Sequence, residues 1–77
     1  MMATVAAGEW IRVRIPSANH RATMSIDGGA EQPVFIDREG PNIYAQVRAP
    51  DGLRRGRHRA VVTSDGITYN HQFEVGA

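Results

Sequence analysis

The sequence predicts an all-β fold, a small antiparallel β-sandwich of about six to seven strands forming one domain over residues 1–77. Three observations predict it. Apolar residues recur with period two in several short segments, Gly, Pro, Asp and Asn bound those segments, and no stretch carries the 3.6-residue period of an amphipathic helix. Successive strand side chains point to opposite faces, so a segment with one buried face must alternate.

The first strand signal is Ile11, Val13 and Ile15, alternating with Trp10, Arg12 and Arg14. The aliphatic triplet is expected inward, and Pro16 with Ser17-Ala18-Asn19 ends the segment. Ala22, Met24 and Ile26 then alternate with Thr23 and Ser25. Asp27-Gly28-Gly29 supplies the positive-φ residues of a tight turn, so a hairpin is expected, returning through Val34, Phe35 and Ile36. Asp37 to Asn42 reads as a charged loop. Ile43, Ala45, Val47 and Ala49 alternate with Tyr44, Gln46 and Arg48 in the cleanest strand of the chain. A corner follows, then a strand over residues 57–64, the Asp65-Gly66 turn, and a last strand with Tyr69, His71, Phe73 and Val75 on one face.

The run from Ala49 to Gly66 is the most informative. Leu53 and Gly56, followed by alternating His58, Ala60 and Val62, describe a chain that plugs the end of a sandwich and enters a strand with one buried face. With Val47-Arg48-Ala49-Pro50 and Asp65-Gly66, these residues resemble the closing half of bacterial and phage immunoglobulin-like or fibronectin type III-like modules. The resemblance covers roughly residues 43 to 75. Such modules place an aromatic residue, often tyrosine, after the corner leucine and glycine, and its polar tip bonds nearby backbone; here His58 holds that place. The resemblance implies an immunoglobulin-like sandwich engaged in binding or scaffolding rather than catalysis.

A 77-residue chain buries a smaller fraction of its surface than a larger domain, so the core must be thin. Ordering it costs on the order of 100 kcal/mol of conformational entropy. The chain contains no cysteine, which excludes a disulfide scaffold, a thiolate zinc site, thiol catalysis and an iron–sulfur cluster. Self-association or docking on a larger assembly is the expected supplement. The amino terminus has neither the basic region nor the apolar stretch of a signal peptide, and no segment has bilayer-spanning length, so no membrane role is expected. All nine basic residues are arginine, as in a codon-biased, GC-rich genome, and the formal net charge is +1. That balance gives no strong polyanion signal.

Several residues invite sharper roles. His20, His58 and His71 lie on three segments without the spacing of a metal-ligand pair, so packing is the expected role of His58 and His71 and no metal is expected. His58 is read as a corner residue bonded through one ring nitrogen, and His71 as an interior neighbour of Tyr69 and Phe73. Asp27, Asp51 and Asp65 each precede glycine, which turn geometry explains without calcium. Ser17, Ser25 and Ser64 sit in strand or turn contexts with no nucleophile elbow, phosphate loop or dinucleotide fingerprint. Neither an enzymatic activity nor a cofactor is expected.

The arginines are the distinctive surface feature. Arg12, Arg14, Arg48, Arg57 and Arg59 alternate outward on their strands, forming a stripe if those strands are neighbours. A tryptophan between arginines has the composition enriched at protein interfaces. Trp10, Arg12, Arg14, Tyr44 and Arg48 are therefore the candidate interface residues. Read as a freestanding chain beginning at Met1, the protein is expected to be a non-enzymatic structural or interaction protein. The most concrete form is a phage virion component, a capsid decoration or tail-associated protein, contacting capsid or tail subunits, with a homo-oligomer as a further expectation. The expected location is the virion, with the cytoplasm as the alternative; a free-standing binding module for carbohydrate or a host protein is the second expectation. A nucleic-acid accessory protein using the arginine face is third.

Overall fold

A computed structural model of the chain describes residues 3–16 and 22–76. They form eight strands: β1 (Ala3–Val5), β2 (Trp10–Ile15), β3 (Thr23–Ile26), β4 (Gln32–Pro33), β5 (Phe35–Glu39), β6 (Asn42–Arg48), β7 (Gly56–Ser64) and β8 (Ile67–Val75). No helix occurs among the described residues. One sheet runs β1-β8-β7-β3-β4 and the other β2-β6-β5. The all-β class and the two-layer arrangement agree with the sequence.

The core lies between the sheets and is supplied by the predicted inward sets. Ile11, Val13 and Ile15 of β2 face Met24, Ala60, Val62 and Phe73 of the opposite layer, each at most 3% exposed. Ala45 and Val47 of β6, with Ala49 just beyond its end, extend the same layer. Burying a large apolar side chain is worth about 1.5–3 kcal/mol, so this short row of aliphatics carries most of the hydrophobic stabilisation. Leu53 packs against the end of the cluster, as the corner pattern predicted.

Short turns join the strands. Asp27 and Gly28 both have positive φ (52° and 75°), and the Gly29 N–H donates to the Ile26 carbonyl at 2.9 Å, closing a four-residue turn of the type I′ class. Asp65 and Gly66 (φ 53° and 76°) do the same between β7 and β8, whose ladder closes at Ser64–Ile67. Both turns were legible from their Asp-Gly pairs.

The structure corrects three expectations. The strand count is eight, because Ala3–Val5 adds a first strand parallel to β8, so the sandwich is not wholly antiparallel. The chain returning from the Asp27 turn pairs with β3 only through Gln32 and Pro33, after which Phe35 to Glu39 crosses to the other sheet and pairs with β6. Pro33 has no N–H to continue the ladder, which favours the switch at that point. Asp37, Arg38 and Glu39 are therefore strand rather than loop. The connection to β6 shrinks to Gly40-Pro41, with Gly40 at φ 58° in the first central position of a two-residue hairpin.

Candidate functional site

The outer face of the three-stranded sheet gathers all five predicted interface residues. Registers place Trp10 opposite Arg48, Arg12 opposite Gln46 and Arg14 opposite Tyr44. Parity then puts Phe35 and Asp37 of β5 on the same face, across β6. Phe35 is the residue sequence reasoning missed. It was read as part of an apolar strand, yet it is 66% exposed, while Val34 and Ile36 on either side pack against the core.

Arg12 organises the centre of this face. Its Nη2 donates to Asp37 Oδ2 at 2.9 Å and lies 3.0 Å from Glu39 Oε1, while its Nε donates to Gln46 Oε1 at 3.0 Å. The same guanidinium lies over the Tyr44 ring, 4.0 Å from its centroid. Arg48 repeats the pattern at one corner. It lies 4.2 Å from the centroid of Trp10 and donates from Nη1 to the Gly8 carbonyl at 2.8 Å. Trp10 in turn meets Phe35 edge to face, centroids 5.6 Å apart. Such aromatic and cation–π contacts contribute about 0.5–1.5 kcal/mol each, so the patch is a laterally braced surface rather than a set of independent side chains. Arg14 differs from the other two arginines. It is exposed and makes no ion pair with the described residues, and with Ile15, Pro16 and Pro41 it lines a shallow depression at the end of the sheet.

The five outward arginines do not make one stripe. Arg57 and Arg59 lie on β7, opposite Glu74 and Gln72 of β8, on the outside of the other sheet. Strand parity correctly sent all five side chains to solvent; the assignment of strands to separate layers divided them.

A second polar cluster lies at the corner. His58 Nε2 is 2.6 Å from the Arg54 carbonyl, which can only accept, so this nitrogen carries a proton. Nδ1 lies 2.5 Å from Asp27 Oδ2, and Asp27 Oδ1 accepts the Arg59 N–H at 3.0 Å. His58 is thus held through both ring nitrogens rather than the one expected. The Asp27 bond, then the Arg54 bond, raises its pKa above 6.5. The bonds from His58 and then the Arg59 N–H hold Asp27 below 3.8. The ring stacks on Phe73 at 5.6 Å between centroids. His71 faces the interior on β8 as expected, and burial lowers its pKa from 6.5.

His20 and Ser17 lie outside the described residues. Among those described, no three His, Asp or Glu side chains converge as a metal site, and no helix is long and apolar enough to cross a membrane. Comparisons with protein families, with curated proteins and with solved structures gave no match.

Proposed function

We propose that this protein is a non-enzymatic contact module that binds a protein partner through the outer face of its three-stranded sheet. The observation that carries the reading is the way the aromatic rings are covered. Tyr44 lies under Arg12, and Trp10 lies under Arg48 with Phe35 against it, so a guanidinium occupies one face of each ring where a sugar ring or a base would stack. Asp37 and Glu39 offset the charge of Arg12, and Arg57 and Arg59 belong to the other layer. These features weigh against carbohydrate stacking and phosphate tracking and favour a protein partner. What is left is an apolar side chain at Phe35 surrounded by paired charges and braced rings. That composition suits a protein contact, with aromatic residues and arginine at the centre and polar groups around them.

The strand arrangement supports the immunoglobulin-like reading. Lettered in chain order with β4 as C′, the layers are A-G-F-C-C′ and B-E-D, the pairing scheme of that class apart from the placement of the first strand. His58, near the start of strand F, bonds the backbone four residues upstream as the corner tyrosine of such domains does. The narrower setting, a phage capsid decoration or tail-associated subunit, rests on the sequence considerations and draws no added support from the geometry.

A photo-activated phenylalanine analogue placed at Tyr44, and in a second variant at Asn70 on the opposite sheet, tests the contact face. The proposal expects adducts with one discrete protein from position 44 and none from position 70 in an extract of the source cells, abolished by Phe35→Ser. Equal labelling from both faces, or no labelling from either, overturns it.

A further inference from the structure

Each edge of a sheet presents backbone donors and acceptors that water or another strand must satisfy. In the five-stranded sheet the edges are short: β1 has three residues, and β4 has two, of which Pro33 carries no N–H. In the three-stranded sheet the edges are β5 and β2. Of all four, β2 is the longest at six residues, contains no proline, and among the described residues has no strand on its far side.

Which groups β2 presents follows from the ladder. Antiparallel pairs alternate between exchanging both backbone bonds and exchanging none. The Ala49 N–H donates to the Glu9 carbonyl at 2.7 Å, so odd-numbered residues of β2 turn their backbone groups towards β6. The Gly40-Pro41 hairpin gives the same parity independently. Its closing pair, Glu39–Asn42, sends the even residues of β6 towards β5 and its odd residues towards β2. Trp10, Arg12 and Arg14 therefore present their N–H and C=O groups to the open edge.

We propose that this edge pairs with itself: two copies of the chain join antiparallel along Trp10–Ile15 about a two-fold axis at Arg12. The proposal extends the protein-contact reading above from the outer face of this sheet to its open edge, where the partner is a second copy. Only residues with outward backbone groups can exchange bonds, and one register alone engages all three on each strand. It sets Arg12 opposite Arg12 of the second copy, and Trp10 opposite Arg14 of the second copy, twice by symmetry. The side chains fit this register. Arg14, which has no carboxylate partner among the described residues, comes beside the indole of the other copy. The two Arg12 side chains approach on the axis with their charges already offset by Asp37 and Glu39 at 2.9 and 3.0 Å. Both three-stranded sheets become one continuous sheet, and the braced aromatic faces of the two copies become contiguous.

Sedimentation equilibrium of the full chain over a wide concentration range provides the test. The wild type is expected to show a monomer–dimer equilibrium. Arg14→Pro removes an N–H that faces the open edge and has no partner among the described residues, at a position where an edge strand accepts proline. It is expected to weaken the dimer by at least about tenfold while the circular dichroism spectrum stays that of the wild type; Arg14→Ala, which keeps the N–H, is expected to weaken it less. A wild type that remains monomeric throughout, or a folded Arg14→Pro that dimerises as tightly as wild type, overturns the proposal. If Arg14→Pro does not fold, Arg12→Cys decides. The chain has no other cysteine, and bonded pairs place Cα atoms about 5.5 Å apart, within disulfide reach. Oxidation should yield a covalent dimer from Arg12→Cys and little from Arg14→Cys; equal yields overturn the register. Loss of self-pairing would leave the cross-linking result at Tyr44 intact, so the two readings fail separately.

Discussion

His58 and Asp27, separated by 31 positions in the chain, form the ion pair that joins the corner to the turn leaving β3. The imidazole spans from the Asp27 carboxylate to the Arg54 carbonyl while stacking on Phe73, so one side chain connects the corner, the turn and the core.

This pair makes stability depend on pH above about 6.5. The folded pKa of His58 is raised above 6.5, so its contribution is fully present below about pH 6.5 and is lost as the pH rises through the folded value. Melting temperature should fall over that upper range in wild type. Asp27→Asn should flatten the dependence and cost about 1 kcal/mol near pH 6, since Asp27 is partly solvated. A wild-type melting temperature that rises through the same range would contradict the assignment.

His71 acts in the opposite direction. Burial lowers its folded pKa below 6.5, so its neutral form is favoured in the fold and stability is lost as the pH drops from about 6.5 towards the folded value. His71→Leu should remove that acid-side loss, leaving the remaining decline to carboxylates such as Asp27 at lower pH. Thermal melts of both proteins between pH 5 and 6.5 are the check, and parallel curves would refute the role given to His71.

Phe73 is the largest fully buried side chain and supports the His58 ring. Phe73→Ala should cost about 3–5 kcal/mol, a large share of the roughly 4–12 kcal/mol expected for a domain of this size. Urea titration should show a much lower midpoint. Phe35→Ala, at an exposed position, should cost under about 1.5 kcal/mol in the same titration.

Trp10 is the chain's single tryptophan and reports directly on its cover. Arg48→Ala removes the guanidinium 4.2 Å from the ring centroid, so emission should shift to the red and iodide quenching should increase, with stability reduced by about 1 kcal/mol or less. Unchanged quenching would mean that Arg48 does not shield the ring.

The sequence was most legible where one strand buries several residues. Ile11-Val13-Ile15, Ile43-Ala45-Val47 and Ala60-Val62 alternate for long enough to assign each side chain to a face, and the structure buries most of them as expected. Strand β5 was legible only at its start, Phe35 and Ile36, while Asp37 to Glu39 read as loop. It is an edge strand whose apolar contribution to the core is Ile36, so alternation reduces to one residue among Asp37, Arg38 and Glu39. Its strand conformation is held by pairing with β6 and by the Arg12 ion pairs, which bring together residues 25 to 27 positions apart. β1 was hidden for a similar reason, since three residues with one buried valine carry no period.

The candidate site divides along the same line. Parity along β2 and β6 placed Trp10, Arg12, Arg14, Tyr44 and Arg48 outward, because side-chain direction in a strand depends only on the residue's position along it. That Phe35 joins them, that Arg57 and Arg59 do not, and that His58 reaches Asp27 depend on which strands pair and in which layer. Hydrogen bonds between distant segments set those choices. The sequence by itself determined the fold class and which way each strong strand faces; the tertiary structure decided which strands are neighbours, and hence which outward side chains share a surface.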